Sequence, residues 1–312
     1  MKVYSMSKIQ TDSPDENNTA GISYALGAFV LWGLAPLFFK ELSHVAALEF
    51  LGFRMVWSFI FLIILLFFRR SLKILIQEIG QTFANKKLLF MLFLSAILIS
   101  SNWLVFIWAV ANNHVMETSL GYFINPLANV ALGMLVLGEK LSRTKLAAVG
   151  LAAFGVMYLI VAQETFPWVA LFLATSFALY GLIRKKAVIG AILGLWVEML
   201  VLLPFAVGYL SYLNFSRTSG QVSHDGYTLF MLVISGAVTT IPLMFFASAA
   251  RRLPLSLLGL LQYIAPTMTL LMAVFLWDEE FTTAHMVAFS FIWGALALYS
   301  ADSFFPVRSR RE

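Results

Sequence analysis

The sequence predicts an all-α, polytopic membrane protein with ten transmembrane helices that form two inverted five-helix repeats. Three observations predict this fold: long apolar runs, a one-sided distribution of basic residues, and a weak internal repeat. Of the 312 residues, 61% are hydrophobic and only 12% are charged, and the mean hydropathy is +0.86. This composition is far from that of a soluble domain, so we expect most of the chain to lie in lipid.

Apolar runs of about 18 to 24 residues recur along the whole chain, and this length crosses about 30 Å of hydrocarbon. The predicted spans are 19–39, 46–68, 88–110, 115–137 and 145–162 in the first half, and 166–183, 189–210, 227–248, 255–277 and 282–302 in the second. The predicted division is a cytoplasmic tail at 1–18, repeats at 19–162 and 163–303, and a basic cytoplasmic tail at 304–312.

The basic residues fall almost entirely on one side of this topology. Of the 21 Lys and Arg residues, only Lys40 and Arg217 lie in the opposite connections, and Arg54 lies within a span. The tails and the alternate connections hold the others, Lys2, Lys8, Arg69, Arg70, Lys73, Lys86, Lys87, Lys140, Arg143, Lys145, Arg184, Lys185, Lys186, Arg251, Arg252, Arg308, Arg310 and Arg311. Because Lys and Arg concentrate in cytoplasmic loops, we predict that both termini are cytoplasmic. One span more or fewer would scatter these clusters over both sides.

An internal repeat relates the two halves. Residues 95–159 align without gaps on residues 235–299, so that Pro126 meets Pro266 and the breaks between spans coincide. Each half has an odd number of spans, so equivalent helices cross the membrane in opposite directions. Inverted repeats of this kind are the layout of many secondary transporters.

Polar and aromatic side chains occur at matching depth in the fourth and ninth spans. They are Thr118, Tyr122, Asn125 and Asn129 at helical spacing in the fourth span, and Gln262, Tyr263 and Thr267 in the ninth. One interpretation is a central polar cavity between the repeats. The other is that these side chains form hydrogen bonds between helices as packing contacts.

Pro126 and Pro266 interrupt these same two spans. Proline lacks a backbone N–H, so each residue predicts a local kink in its helix. The kinks are either hinges of a gate or static curvature that shapes the bundle.

Ionisable residues inside the membrane are expensive, at about 2.5 to 3.5 kcal/mol near the middle of a helix. Arg54 lies within the second span with Trp57 on its face. It either holds an anionic or aromatic solute or pairs with a carboxylate during assembly. Glu49 and Glu198 occupy equivalent places in the two halves. Each of them either pairs with Arg54 or binds a proton, so ion coupling and a structural ion pair are both open.

Several classes of function find no support in the sequence. The net charge of +5 comes from short basic clusters between apolar runs, which does not indicate nucleic-acid binding. The chain has no cysteine, so it offers no disulfide, thiolate nucleophile or cysteine-bound metal. Phosphate-binding, dinucleotide-binding, metalloprotease and serine-hydrolase motifs are absent. We therefore predict no enzyme, no cofactor and no metal site.

Six segments are the most distinctive in the chain: ETSLGYFINP at 117–126, GEKL at 138–141, RMVWS at 54–58, SNW at 101–103, YGLIRK at 180–185 and QYIAPT at 262–267. They resemble the RarD family of chloramphenicol-sensitivity proteins, which belongs to the EamA branch of the drug/metabolite transporter superfamily. Together they extend over nearly all ten spans. The resemblance implies a bundle of ten helices around a central solute cavity in a bacterial inner membrane.

The chain departs from the usual family pattern at two places. Asp278 precedes Glu279 where glycine is usual, and Phe53 precedes Arg54 where histidine is usual. The first change keeps the acid, and the second means that any role of that histidine does not apply to this chain.

The predicted function is that of a secondary transporter, which moves a metabolite, amino acid or drug by alternating access through a central cavity. The candidate solute-binding residues are Arg54, Trp57, Asn102, Trp108, Tyr122, Asn125, Gln262, Tyr263 and Thr267. Its partners are then the solute and the lipid bilayer. The alternative is a membrane receptor or assembly scaffold with the same fold and no flux, although the short connections offer little docking surface.

Overall fold

The structure, a computed structural model, describes residues 14–69, 72–112, 114–162, 166–215, 225–276, 278 and 283–304. This part of the chain contains ten helices that are long and apolar enough to cross a membrane. The predicted all-α membrane fold with ten spans is therefore confirmed. Most of both predicted tails, at 1–18 and 304–312, lies outside the described residues.

The helices follow the predicted spans closely. They are α1 (Pro14–Glu41), α2 (Ala47–Arg69), α3 (Leu72–Ala84), α4 (Lys86–Ala111), α5 (Val115–Leu137), α6 (Arg143–Ala162), α7 (Trp168–Lys186), α8 (Ala191–Phe215), α9 (Gly226–Arg252), α10 (Leu255–Leu261), α11 (Ile264–Leu276) and α12 (Thr283–Phe304). Helix α1 extends back to Pro14, while its membrane-spanning part begins at Asn18, next to the predicted start at 19. The ninth span consists of two helices, α10 and α11.

Helix α3 was not predicted. Its 13 residues extend about 20 Å, which is too short to cross the hydrocarbon layer. Leu75 packs with Leu92 of α4 and Leu193 of α8, so one face of α3 is anchored on the bundle. The prediction treated this stretch only as a connection because its apolar residues are too few for a span.

Side chains cap the starts of two helices. The Asn85 side chain accepts a hydrogen bond from the Leu88 N–H at 3.1 Å at the start of α4. Asp225 accepts hydrogen bonds from the N–H groups of Tyr227 and Thr228, both at 3.3 Å, at the start of α9. These two bonds lower the pKa of the Asp225 carboxyl below its ordinary value. The capped N–H groups have no partner within the helix, so the caps fix where both helices begin.

The ninth span is broken at Gln262 and Tyr263, between α10 and α11. Pro266 follows the break, and its missing N–H cannot donate to the Gln262 carbonyl. The Ala265 N–H donates to that carbonyl instead, at 3.2 Å, which tightens the turn. In contrast, α5 continues without interruption through Pro126. The two aligned prolines therefore affect their helices differently.

Helices of the two halves pack against each other in a regular pattern. Equivalent spans are in contact, since α2 packs on α8, α5 on α10 and α6 on α12. Other contacts come in equivalent pairs. The contact of α1 with α9 corresponds to that of α7 with α4, and the contact of α5 with α7 corresponds to that of α11 with α1. This is the pattern expected for repeats related by a two-fold axis. The inverted repeat stays a prediction that this packing favours.

One end of the bundle carries the basic clusters, and we call it the basic end. It includes the start of α4 with Lys86 and Lys87, the end of α7 with Arg184, and the end of α9 with Arg251 and Arg252. Consecutive spans cross in opposite directions, which brings these three helix termini to the same side. The assignment of this end to the cytoplasm stays a prediction.

Close contact between α2 and α9 depends on Gly236. A Cβ atom at this position would lie 2.4 Å from the carbonyl carbon of Trp57 and 2.7 Å from the backbone nitrogen of Ser58. The Ser58 hydroxyl also donates to the Gly236 carbonyl at 3.2 Å. Because the obstructing atoms belong to the backbone, a side chain at 236 would push the two helices apart.

We expect Gly236→Ala to destabilise the protein by about 1–3 kcal/mol or more, the usual scale of overpacking. The measurement is thermal unfolding of the purified protein in detergent. Gly208→Ala in α8 is the matched control, because a Cβ there would meet nothing within 4 Å. Equal unfolding temperatures for the two variants would contradict the described α2–α9 contact.

Candidate functional site

Arg54 lies inside the membrane among aromatic rings. It is seven residues after Ala47, the start of α2, or about 10 Å along the helix. Its guanidinium carbon is 4.8 Å from the ring centroid of Trp103, 5.6 Å from that of Phe39 and 5.7 Å from that of Phe50. The Nε atom is buried and has no hydrogen-bond partner. Within the described ranges no carboxylate forms an ion pair with this guanidinium. The alternative in which Arg54 pairs with a carboxylate for assembly therefore has no support among these residues.

The surroundings of Arg54 come from four helices. Phe39 belongs to α1, Phe50 to α2 and Trp103 to α4, and Tyr122 of α5 lies within electrostatic range of the guanidinium. Helices α1 and α2 pack mainly on α8, α9 and α11, whereas α4 and α5 pack mainly on α7 and α10. Arg54 therefore lies where these two groups of helices meet. We call the five side chains Phe39, Phe50, Arg54, Trp103 and Tyr122 the Arg54 recess.

Part of the recess is open. The Tyr122 side chain is 51% exposed although it lies beside an intramembrane cation. Trp108 of α4, nearer the end opposite the basic end, is 43% exposed. Its ring stacks on His114 at 5.4 Å between centroids and lies 5.2 Å from the Trp168 ring. Three of the predicted solute-binding residues, Arg54, Trp108 and Tyr122, thus lie in the half of the bundle away from the basic end.

The polar stripe of α5 forms a buried network. Asn125 donates to the Ala174 carbonyl of α7 at 2.7 Å. Asn129 donates to the side-chain oxygens of Asn125 at 3.1 Å and Gln262 at 2.9 Å. Tyr263 is fully buried, and its hydroxyl donates to the Phe123 carbonyl at 3.2 Å. In this conformation these residues join α5 to α7 and to the break in the ninth span, so contact with solute stays a prediction for Asn125, Gln262 and Tyr263.

The three other predicted solute-binding residues also hold helices together. Asn102 of α4 donates to the Leu173 carbonyl and to the Ser176 hydroxyl of α7, both at 2.9 Å. Thr267 accepts a hydrogen bond from the indole N–H of Trp293 at 3.3 Å, which links α11 to α12. Trp57 is half-buried, with its backbone against α9. A solute contact for these three stays a prediction as well.

Glu198 forms a buried ion pair with Arg184. The Arg184 Nη1 atom lies 3.1 Å from Glu198 Oε1, and both side chains are fully buried. Ser95 donates to the same oxygen at 2.6 Å, and Tyr180 donates to Oε2 at 3.3 Å. The alternative in which Glu198 pairs with Arg54 is therefore wrong. The sequence predicts Arg184 only as one of the basic topology signals, whereas in the structure its side chain turns inward to Glu198.

Two neighbouring features explain the different surroundings of the equivalent glutamates. Gly194 leaves room for the Arg184 guanidinium, because a Cβ there would lie 2.2 Å from Nη1. Glu49 is only 5% exposed and lies within electrostatic range of Tyr209 of α8. No basic side chain in the described part of the chain forms an ion pair with Glu49. An ion-coupling role for either glutamate stays a prediction.

Aromatic packing closes the bundle between the recess and the basic end. The Trp32 ring of α1 lies 5.6 Å from both Phe177 of α7 and Phe246 of α9, measured between centroids. Phe177 and Phe246 are 5.1 Å apart. Nearer the basic end, the Lys185 ammonium donates to the Ala250 carbonyl at 3.2 Å, which ties α7 to α9.

Glu139 connects the two halves at the basic end. It follows Gly138, whose φ of 68° ends α5 in the left-handed region that favours glycine. The Glu139 carboxylate accepts hydrogen bonds from the N–H groups of Leu255 at 2.6 Å and Ser256 at 2.9 Å. It therefore caps α10, where a negative charge is also favoured by the helix dipole. The aligned Glu279 lies outside the described residues.

A separate cavity of about 810 Å³ lies at the basic end, with Glu78, Gln81, Arg251 and Arg252 in its wall. None of the predicted solute-binding residues lines it. In the part of the chain that the structure describes, no cluster of three His, Asp or Glu side chains has the arrangement of a metal site.

Comparison with known proteins agrees with this architecture. Residues 19–161 match the EamA-like transporter family. A solved crystal structure superposes with a TM-score of 0.64 over 94% of this chain and 100% of its own, at 17% sequence identity. At that identity the likeness concerns the fold alone.

Three bacterial relatives align along most of the chain. An uncharacterized transporter of Vibrio cholerae is 44% identical over 93% of this chain and 95% of its own length. The uncharacterized transporter YojE of Bacillus subtilis is 45% identical over 90% of this chain and 93% of its own length. Protein RarD of Escherichia coli is 44% identical over 92% of this chain and 96% of its own length. With ten candidate spans, this chain is a multi-pass inner-membrane protein that belongs to the RarD group of the EamA-like transporter family.

Proposed function

We propose that this protein is a secondary transporter that moves a small organic solute across the membrane by alternating access between two inverted five-helix repeats. The observation that carries the proposal is the Arg54 recess. An intramembrane cation that has no acidic partner among the described residues lies together with a half-exposed Tyr122 where two groups of helices meet. Family membership supports the same class of function.

The two ends of the bundle differ in a way that suits alternating access. Towards the basic end, the path is blocked by the cluster of Trp32, Phe177 and Phe246 and by the Glu139 cap on α10. Tyr122 and Trp108 remain exposed towards the opposite end. We infer that this conformation is open away from the basic end, and that the opposite conformation closes the recess and separates α5 from α10.

The break between α10 and α11 offers a joint for this change. Gln262 and Tyr263 form the turn between the two helices, and they contact α5 through Asn129 and the Phe123 carbonyl. A rotation at the joint moves α10 relative to α11 without breaking either helix. With the basic end on the cytoplasmic side, as the distribution of Lys and Arg favours, the recess opens away from the cytoplasm.

The direct test is flux into liposomes that contain the purified protein. We expect uptake of at least one class among labelled amino acids, aromatic metabolites and amphenicols. Tyr122→Ala is expected to reduce uptake about tenfold or more, since it removes a contact in the recess. Tyr212→Ala in α8, also an exposed tyrosine, is the matched control and should transport at the wild-type rate. No flux of any class would favour the receptor or scaffold alternative.

Accessibility of the recess is a second expected outcome. The chain has no cysteine, so single cysteines can be introduced without background labelling. Tyr122→Cys should react with a membrane-impermeant maleimide added from the end opposite the basic clusters, because this position is 51% exposed. Tyr263→Cys should remain unlabelled, because this position is fully buried. Labelling of both or neither position would contradict an open recess in the resting protein.

The Arg184–Glu198 pair predicts a large effect on stability. Glu198→Gln leaves the buried guanidinium without its counter-charge and should destabilise the fold by about 3–5 kcal/mol, measured by thermal unfolding. Glu49→Gln is the matched control and should have little effect, because no ion pair is lost in the described structure. A stable Glu198→Gln protein whose flux no longer depends on pH would instead support proton coupling at this site.

A further inference from the structure

We propose that the transported solute is an organic monocarboxylate with an apolar body, and that Arg54 binds its carboxylate in the recess. This inference rests on the proposed transport function and names the class of its substrate. The juxtaposition that carries it is a guanidinium 4.8 Å from the Trp103 ring, with Phe39 and Phe50 around it and no acidic partner among the described residues.

The comparison with Arg184 shows what Arg54 lacks. Both arginines lie on membrane-spanning helices, but Arg184 has a carboxylate 3.1 Å away and also donates to the Ala191 carbonyl at 3.3 Å. Arg54 has contacts with aromatic rings and no carboxylate partner among the described residues, whereas a buried Nε atom without a hydrogen-bond partner is common to both arginines. Ionisable residues in membrane helices usually pair with an opposite charge or mark a path for a charged species. For Arg54 the missing anion is therefore supplied by the solute.

The other intramembrane carboxylates do not compete for Arg54. Glu198 is bound to Arg184. Glu117, at the start of α5, accepts a hydrogen bond from the Val169 N–H at 3.1 Å and contacts His114. Glu49 lies beside Tyr209 of α8. Among the described residues, the recess thus has a positive group and no negative group paired with it, which suits an anion better than a zwitterion.

The chemistry of the recess selects a carboxylate with an apolar body. A guanidinium presents parallel N–H donors that match the two oxygens of a carboxylate. A single guanidinium neutralises one negative charge, so a phosphate dianion would retain an uncompensated charge in the membrane. The rings of Phe39, Phe50 and Trp103 offer apolar surface to the rest of the solute. The hydroxyl of the half-exposed Tyr122 is a second donor on the α5 side.

The test measures binding to the full chain in lipid nanodiscs. The probes are a series of alkyl and aryl monocarboxylates, including 3-phenylpropionate, each paired with its neutral amide, together with L-phenylalanine as a zwitterion. Wild type should bind the preferred acid about tenfold or more tightly than its amide, the scale of a charge-assisted hydrogen-bonded pair. Folded Arg54→Gln should lose this preference.

Two further variants keep the test decisive. Arg252→Gln removes another arginine that stacks on a ring, Tyr24 at 5.1 Å, and should keep the wild-type preference. Arg54→Lys keeps the charge but not the planar donor pair, so it should still prefer acids while binding them several-fold more weakly. If Arg54→Gln does not fold, the acid preference of Arg54→Lys provides the test instead.

The proposal is overturned by wild type that binds no acid, that binds acid and amide equally, or that prefers L-phenylalanine. Unchanged acid preference in folded Arg54→Gln, or equal binding of acid and amide by Arg54→Lys, also overturns it. Uptake by the same protein in liposomes separates the two proposals. If acid binding depends on Arg54 but no flux occurs, the transport proposal is rejected and the anion-site proposal is supported. If neutral solutes are transported at a rate that does not depend on Arg54, the anion-site proposal is rejected and the transport proposal is supported.

Discussion

The compensation of charge inside the bilayer is the constraint on which this structure depends. Arg184 and Glu198 neutralise each other in a site with no exposed surface, and Gly194 leaves the space that their contact requires. Such a pair stabilises the fold only while both partners remain, so it fixes α7 against α8. Arg54 stands in contrast, because the rings around it offset part of the cost of burial but supply no counter-charge. The same rule that makes one arginine structural is the basis for the proposed anion site at the other.

The packing around Arg54 is consistent with a carrier that exposes one side at a time. Glu139 caps α10, and the Trp32 cluster fills the space between α1, α7 and α9, so the basic end is held by interactions between the two halves. Such contacts can be exchanged for equivalent ones when related helices rock past each other. In the proposed cycle a solute carboxylate at Arg54 makes this exchange depend on solute, since a charge that is paired with its counter-charge is easier to enclose in a closed recess.

Much of the fold could be predicted from the sequence, because the hydrocarbon thickness sets the length of each apolar run. Helix α3 could not, since its short amphipathic stretch gains its place only by packing Leu75 on neighbouring helices. The high cost of intramembrane charge marked Arg54 from the sequence. The orientation of α5 about its own axis could not be predicted in this way. Helical spacing shows that Asn125 and Asn129 share a face, but it does not show which helix that face contacts. The partner of Glu198 was hidden for a related reason, since Arg184 ends a helix among other basic residues.

The central claim is that solute supplies the counter-charge of Arg54. Magic-angle-spinning NMR tests it most directly, with ¹⁵N-labelled arginine in the protein and a ¹³C-carboxyl label in the acid that wild type binds most tightly. We predict a dipolar coupling between the carboxyl carbon and a guanidinium nitrogen at about 4 Å, as in a direct ion pair, and its loss in Arg54→Lys. Bound acid without this coupling in wild type, or the same coupling in Arg54→Lys, would contradict the claim.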